Sequence, residues 1–218
     1  MQYHLNGYTF GDPSIAPAAP DHRTPGDELP EHVDVLVVGT GPAGAVLAAQ
    51  LAEFPEVSVC TIDRRTEPLA RGHADGVACR TVEMFEAFGL ADTLVREALW
   101  VNETAFWSVA ETGQGIERTG VVQDVADGLS EFPHVIVNQA RMQELLFDNA
   151  AKAPSRHFVD YGWKYVSQTL DETHEYPVEV TVESTAESTK GQTRIIRAKY
   201  VVGCDGARSA VRKSIGRQ

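Results

Sequence analysis

The chain has 218 residues, 43% of them hydrophobic and 23% charged, a composition that fits a folded globular protein and excludes a disordered one. Its 31 acidic residues against 19 basic ones give a net charge of −12, which argues against a nucleic-acid partner, since such a partner favours a basic face. No apolar run reaches the length of a membrane span and no basic segment with an apolar core opens the chain, so no membrane association is expected and the cytoplasm is the default compartment.

Residues 1–32 read as a Pro/Ala-rich amino-terminal arm. The stretch Asp12-Pro13-Ser14-Ile15-Ala16-Pro17-Ala18-Ala19-Pro20 cannot be helix or inner strand, and composition points to a disordered tail or a linker. Val33 to Val38 is then an almost unbroken apolar run, as expected of a parallel strand covered on both faces. Gly39-Thr40-Gly41-Pro42-Ala43-Gly44 follows and leads into a helix through Leu51. In this strand–turn–helix context Gly39 serves a tight turn, Gly41 lets a pyrophosphate approach the backbone, and Gly44 lets helix and strand pack closely. The helix start adds unpaired N–H groups and a positive dipole end. The chemistry indicated is dinucleotide binding.

Val57 to Asp63 alternates and stops on an acid, as the second parallel strand of a βαβ unit does. Asp63 falls where such units place a carboxylate on a ribose hydroxyl, about 20 residues beyond the glycines. Arg64 and Arg65 leave a second possibility open, because an arginine there can accept a 2′-phosphate. Glu67 to Gly76 is a loop containing Arg71-Gly72-His73-Ala74-Asp75-Gly76, and its Asp-Gly pair favours a turn. Helices are predicted from about Arg80, with Val82 and Phe85 as core and Gly89 as C-cap, and over Asp92 to Ala98.

Strands are expected at Ala105–Val109 and Val121–Gln123, around a Gly113–Gly115 turn, and at Phe132–Asn138. Asn138 is placed to cap the helix that carries Met142, Leu145 and Leu146. Three further strands, near Phe158–Val166, Val178–Glu183 and Arg194–Val202, suggest an antiparallel meander. A buried strand at Tyr200–Gly203 then meets Asp205-Gly206 and a helix, a second junction of the kind that binds ligands at the carboxyl end of open α/β sheets. Cys60, Cys79 and Cys204 are too scattered for a disulfide framework, and neither they nor the seven histidines show the spacing of metal ligands.

Three separated blocks agree on one family: Gly39-Thr40-Gly41-Pro42-Ala43-Gly44, Gly72-His73-Ala74-Asp75-Gly76, and Gly203-Cys204-Asp205-Gly206-Ala207-Arg208-Ser209. Together they resemble the single-component FAD-dependent aromatic hydroxylases, in their phenol 2-monooxygenase branch, and the hydroxybenzoate-acting members most of all. The resemblance implies an α/β fold with α+β elements: a Rossmann-like FAD-binding sheet, an antiparallel β-meander and part of a substrate domain interleaved over residues 33–218. It implies bound FAD, with Gly39, Gly41, Pro42, Ala43 and Gly44 on the pyrophosphate and Asp63 on the adenosine ribose. Arg64 and Gly72, His73 and Ala74 would lie along the flavin, Gln139 would contact it, and Asp205 and Gly206 would meet the ribityl–pyrophosphate region. The chain departs from the branch at His73, where glutamine is usual, so the backbone contact carries over there rather than the side-chain one.

The implied reaction is a monooxygenation in which NADPH reduces the flavin and a flavin hydroperoxide delivers oxygen to a phenolic ring, here 3-hydroxybenzoate to 3,4-dihydroxybenzoate. The partners are the small aromatic substrate and molecular oxygen, and the full-length enzyme would be a homodimer. Asp75 matches the family's base beside the phenol hydroxyl, and His134 is a candidate for the substrate carboxylate, or else a histidine satisfied by the core. The family continues beyond this length, so the chain is expected to be an amino-terminal fragment that does not turn over alone. Another phenol as substrate, an inert nucleotide-binding module, and an NAD(P) dehydrogenase using the same glycine turn stay open on the sequence.

Overall fold

The computed structural model describes residues 11–12 and 14–216, together with the backbone of residues 3–4 and 7–8. The chain divides into two units, Met1–Leu69 with Leu146–Gln218, and Ala70–Leu145. The first begins with the short antiparallel pair β1 (Tyr3–His4) and β2 (Gly7–Tyr8), then β3 (His32–Val38), α1 (Pro42–Leu51) and β4 (Val59–Asp63). The second holds β5 (Gly76–Val77), α2 (Cys79–Ala87), α3 (Ala91–Glu97), β6 (Leu99–Val101), β7 (Glu103–Val109), β8 (Ile116–Gln123) and β9 (His134–Ile136). Helix α4 (Gln139–Lys152) returns the chain to the first unit, which is completed by β10 (Val159–Tyr161), β11 (Trp163–Leu170), β12 (Val178–Ser184), β13 (Thr193–Gly203) and α5 (Ala210–Ser214).

The main sheet of the first unit has the order β10-β4-β3-β13-β12-β11. Its left four strands are parallel, as strands joined by helical crossovers must be, and its right three form the expected antiparallel meander. One strand serves both halves. The long β13 pairs antiparallel with β12 along Ala198–Thr193 and parallel with β3 along Arg197–Gly203, so the third meander strand and the later buried strand are a single element. The expected strand at Phe158–Val166 is, conversely, two. Gly162, at φ +82°, breaks it into β10 and β11 while its N–H donates to the Arg65 carbonyl at 2.6 Å. The core beneath the sheet is a cluster of Leu36, Ile62, Val180, Val182, Ile196 and Ala198 with Cys60, Tyr165 and Val211.

The Pro-rich composition of the arm suggests a disordered tail, yet residues 14–31 lie strapped to the first unit. The Ala16 and Ala19 N–H groups donate to the carbonyls of Lys152 and Pro154, at 3.0 and 2.9 Å. Arg23 clamps the carboxylate of Asp160 at 2.9 and 3.1 Å, with its guanidinium 4.9 Å from the centre of the Phe158 ring. The Arg197 N–H closes the strap on the Glu31 carbonyl at 2.8 Å. These partners lie far along the chain, where no local pattern could reveal them.

In the second unit β5, β9 and β6 form a three-stranded antiparallel sheet, and β7 and β8 a separate hairpin. Val82 and Phe85 of α2 are buried, as their spacing predicts, and Gly89 follows the helix at φ +72°. Asn138 caps α4 by accepting from the Ala140 N–H at 2.9 Å. No helix of the described residues is long and apolar enough to cross a membrane. Cys60 and Cys79 are buried, Cys204 is half-buried, and all three are free thiols.

His157, just before β10, is buried with its Nε2 2.9 Å from Thr61 Oγ1. Burial lowers its pKa to about 4. The unfolded chain therefore takes up this proton near its ordinary value of about 6.5 while the folded chain resists it, and stability is lost as the pH falls through that interval. Urea unfolding is expected to show a loss of up to about 3 kcal/mol from this group between roughly pH 7 and pH 4. His157→Gln should flatten that part of the profile; an unchanged slope would assign the acid sensitivity elsewhere.

Candidate functional site

The glycine turn sits at the carboxyl end of β3, where the parallel strands present their ends to ligands. Gly39 has φ +98°, a conformation open to glycine and strained for other residues. A Cβ there would lie 2.6 Å from the Cys204 carbonyl oxygen, and one on Gly44 would lie 2.0 Å from the Gly39 carbonyl oxygen. Both glycines are thus demanded by contact within the protein. Gly41 differs: a Cβ on it meets only the Cys204 oxygen, at 3.9 Å. It is the N-cap of α1, no side chain caps that helix end, and no acidic residue occupies its first turn. Pro42 and Ala43 are exposed there. An uncapped helix start behind an open glycine is what an anionic oxygen requires.

Asp63 ends β4 beside this turn with its side chain only 9% exposed. Its Oδ2 accepts from the N–H and the hydroxyl of Thr40 at 2.9 and 2.6 Å. Its Oδ1 accepts from the Arg65 N–H and Nε at 2.8 and 3.1 Å, and Arg65 Nη2 reaches both Thr40 Oγ1 (2.6 Å) and Asp63 Oδ2 (3.2 Å). Burial would raise the Asp63 carboxyl, but the donors from Arg65 and Thr40 hold it below the ordinary carboxylate range. Tyr161 pairs with Asp63 across β10 and β4, and burial pushes its phenol upward. Thr40 and Tyr161 were not legible as site residues, because a variable turn position and a strand-end tyrosine carry no spacing signal. Arg64 is exposed, and its carbonyl accepts from Thr185 Oγ1 at 2.8 Å.

Asp205 follows β13 and turns back on its own loop. Its carboxylate accepts from Ser209 Oγ at 2.5 Å and from the N–H groups of Ala210 and Val211 at 2.6 and 3.3 Å. Burial alone would raise it, and these donors lower it. Ser209 caps α5 in turn, accepting from the Arg212 N–H at 2.9 Å. Asp205 therefore shapes the loop, leaving Gly206, at φ +85°, exposed at its tip. The Asp205 Cα would lie 3.0 Å from a Cβ on Gly39, so the two strand–loop–helix junctions meet.

In the second unit, the 72–74 loop is fixed to the start of α4. A Cβ on Gly72 would come within 2.4 Å of the Gln139 Cβ, and Gln139 Oε1 accepts from the His73 N–H at 2.8 Å. His73 and Ala74 are exposed. Asp75 is exposed, with its carbonyl accepting from the Val137 N–H at 2.8 Å. His134 stands on the neighbouring strand, its Nε2 3.1 Å from where a Cβ on Gly76 would be. Its Nδ1 lies 2.9 Å from Asp124 Oδ2. A carboxylate can only accept, so Nδ1 carries the hydrogen and Nε2 is left toward Gly76. The structure thus brings Gly39, Gly41, Gly44, Asp63 and Asp205 together in the first unit, and Gly72, His73, Gln139, Asp75 and His134 in the second. Among the described residues no cluster of three or more histidine, cysteine or acidic side chains is placed to hold a metal ion.

Comparison with known proteins agrees with this geometry. Residues 32–218 match the FAD binding domain family, and the chain belongs to that family. It is 49% identical over 220 residues to a 3-hydroxybenzoate 4-monooxygenase of Comamonas testosteroni, a match covering 100% of the chain and 34% of that protein. It is 40% identical over 190 residues to the FAD-dependent monooxygenase terD of Aspergillus terreus, covering 84% of the chain and 30% of that protein. A solved structure of aklavinone-11 hydroxylase with FAD and aklavinone superimposes with a TM-score of 0.68 at 26% identity, covering 86% of this chain and 36% of that one. The chain spans about a third of the length of the curated relatives it matches.

The glycine geometry separates Gly39, which contact within the protein demands, from Gly41, which it does not. Gly39→Ala is expected to cost on the order of 3 kcal/mol or more, through strain and a clash with a backbone carbonyl. Gly41→Ala should leave the melting temperature within a few degrees, because it fits the observed backbone and space. Thermal unfolding of both variants checks this, and equal losses would contradict it.

Proposed function

We propose that the protein carrying this chain is an FAD-dependent monooxygenase that hydroxylates a phenolic ring, with NADPH as reductant and 3-hydroxybenzoate as substrate. What carries the reading is the uncapped start of α1 behind a turn whose outer glycines admit no side chain, in a chain 49% identical along its length to a 3-hydroxybenzoate 4-monooxygenase. The residues present fit FAD. Gly39, Gly41, Pro42, Ala43 and Gly44 would hold its pyrophosphate, and the β4 end at Asp63 would stand at its adenosine end, with Arg64 beside it. Gly72, His73, Ala74 and Gln139 would line the flavin, and Asp205 and Gly206 would shape its ribityl–pyrophosphate side. Bound and reduced, the cofactor supplies the oxygen activation that side chains cannot.

The chain's own contribution to the chemistry is proton control and placement. The Asp75 carboxylate makes no hydrogen bond among the described residues and is exposed, so it is free to accept the proton of a phenol hydroxyl. A phenolate pushes electron density into the ring and makes its carbon a better nucleophile toward an electrophilic oxygen, which is general-base assistance. His134, held at Nδ1 by Asp124, would orient the substrate carboxylate through Nε2 in the form that carries a hydrogen on both ring nitrogens, since a carboxylate only accepts. The hydrogen bond from Val137 to the Asp75 carbonyl fixes the loop on the strand next to His134.

In the intact enzyme, NADPH oxidation should be accelerated by 3-hydroxybenzoate and not by phenol. His134→Ala should weaken binding of the benzoate about tenfold while leaving binding of phenol, which lacks the carboxylate, within about twofold. Asp75→Ala should lower kcat on the order of 100-fold. Equal effects of His134→Ala on both substrates would remove its assignment, and an unimpaired Asp75→Ala would remove the base.

A further inference from the structure

Two adjacent arginines follow Asp63, and only one of them is braced. We infer that Arg65, held by Asp63 and Thr40, is the side chain that meets the adenosine half of the dinucleotide, and that Asp63 acts as its positioning residue. This rests on the FAD reading above and refines it.

Donors and acceptors are unequally satisfied at Asp63 and Arg65. A carboxylate offers about four lone-pair sites. The Asp63 carboxylate already accepts from the Thr40 N–H, the Thr40 hydroxyl, the Arg65 N–H, Arg65 Nε and Arg65 Nη2. It has no lone pair left for a ribose hydroxyl to donate into. Arg65 is in the opposite condition. Its Nε and Nη2 face Asp63 and Thr40, whereas the two hydrogens on Nη1 have no partner among the described residues. The side chain is 30% exposed at the carboxyl edge of the parallel strands, in contact with the glycine turn through Thr40.

A guanidinium fixed on one edge and free on the other is a preorganised donor pair, so little further side-chain freedom is lost when an acceptor arrives. The group it meets must accept hydrogen bonds, which means a ribose or phosphate oxygen of the adenosine half. Arg64 lacks this bracing among the described residues: it is exposed, and only its backbone carbonyl is held, by Thr185. The pair of arginines therefore divides into one positioned side chain and one free one.

The test uses the purified protein and two flavins, with binding followed by quenching of flavin fluorescence. FAD carries the adenosine half and FMN lacks it. Arg65→Ala should weaken FAD about tenfold or more and leave FMN within about twofold. Arg65→Lys should fall between, because an ammonium cannot bridge Asp63 and Thr40 while offering an outer edge. Asp63→Asn should weaken FAD as well, and the Asp63→Asn/Arg65→Ala double variant should be no weaker than Arg65→Ala alone, since Asp63 acts through Arg65. FAD binding indifferent to both Arg65 variants, or a double variant whose loss equals the sum of the two single losses, would overturn the inference. Absence of FAD binding by the wild-type protein would instead overturn the FAD reading itself. If Arg65→Ala fails to fold, as circular dichroism would show, Arg65→Lys and the FAD–FMN contrast decide the matter.

Discussion

Everything in the first unit depends on how closely the loop after β13 approaches the turn after β3. The Cys204 N–H donates to the Val38 carbonyl at 2.8 Å, and the Cys204 carbonyl lies where a side chain on Gly39 would have to go. Only two glycines, Gly39 and Gly44, allow the backbones and α1 to close to this distance. That closure extends the parallel pairing of β13 with β3 to its last residue pair, Gly203 with Val38. It also puts the Asp205 loop against the Gly39 turn, which is why one sheet edge carries both of the motifs that point to a dinucleotide.

Around that contact, carboxylates act as braces. Asp63 ties the β4 end to Thr40 and Arg65, Asp205 ties its loop to α5, and Asp160 ties Arg23 and thereby the arm. The side chains of Asp63 and Asp160 are largely withdrawn from water and engaged by their donors, as a buried charge must be, and the half-buried Asp205 is engaged likewise. The consequence for function is that the acidic side chains give the site its shape, while the groups left facing outward are backbone N–H donors at α1 and the outer edge of Arg65. A site of that kind favours anionic and acceptor oxygens.

The local part of this architecture was legible in the sequence. An apolar hexamer, a glycine turn and a helix imply one another through steric rules that act within a dozen residues, and β3, α1 and β4 stand where the pattern puts them. The Asn138 cap and the buried face of α2 follow from equally local rules. What could not be read depends on distant partners. The arm is held by Arg23 and Asp160, 137 positions apart, and its prolines describe only what it cannot be. The double role of β13 needs the sheet order, which strand periodicity does not contain. For Asp63 the position was right and the wiring hidden, because nothing in an Asp-Arg-Arg triplet says which arginine folds back.

The central claim is that this turn is built for FAD rather than for a nicotinamide dinucleotide. Isothermal titration of the purified protein with FAD, and separately with NADPH, tests it most directly. One FAD per chain should bind, far more tightly than NADPH, and Gly41→Ala, which the fold itself tolerates, should weaken it. Tight NADPH binding at the turn with no binding of FAD would contradict it.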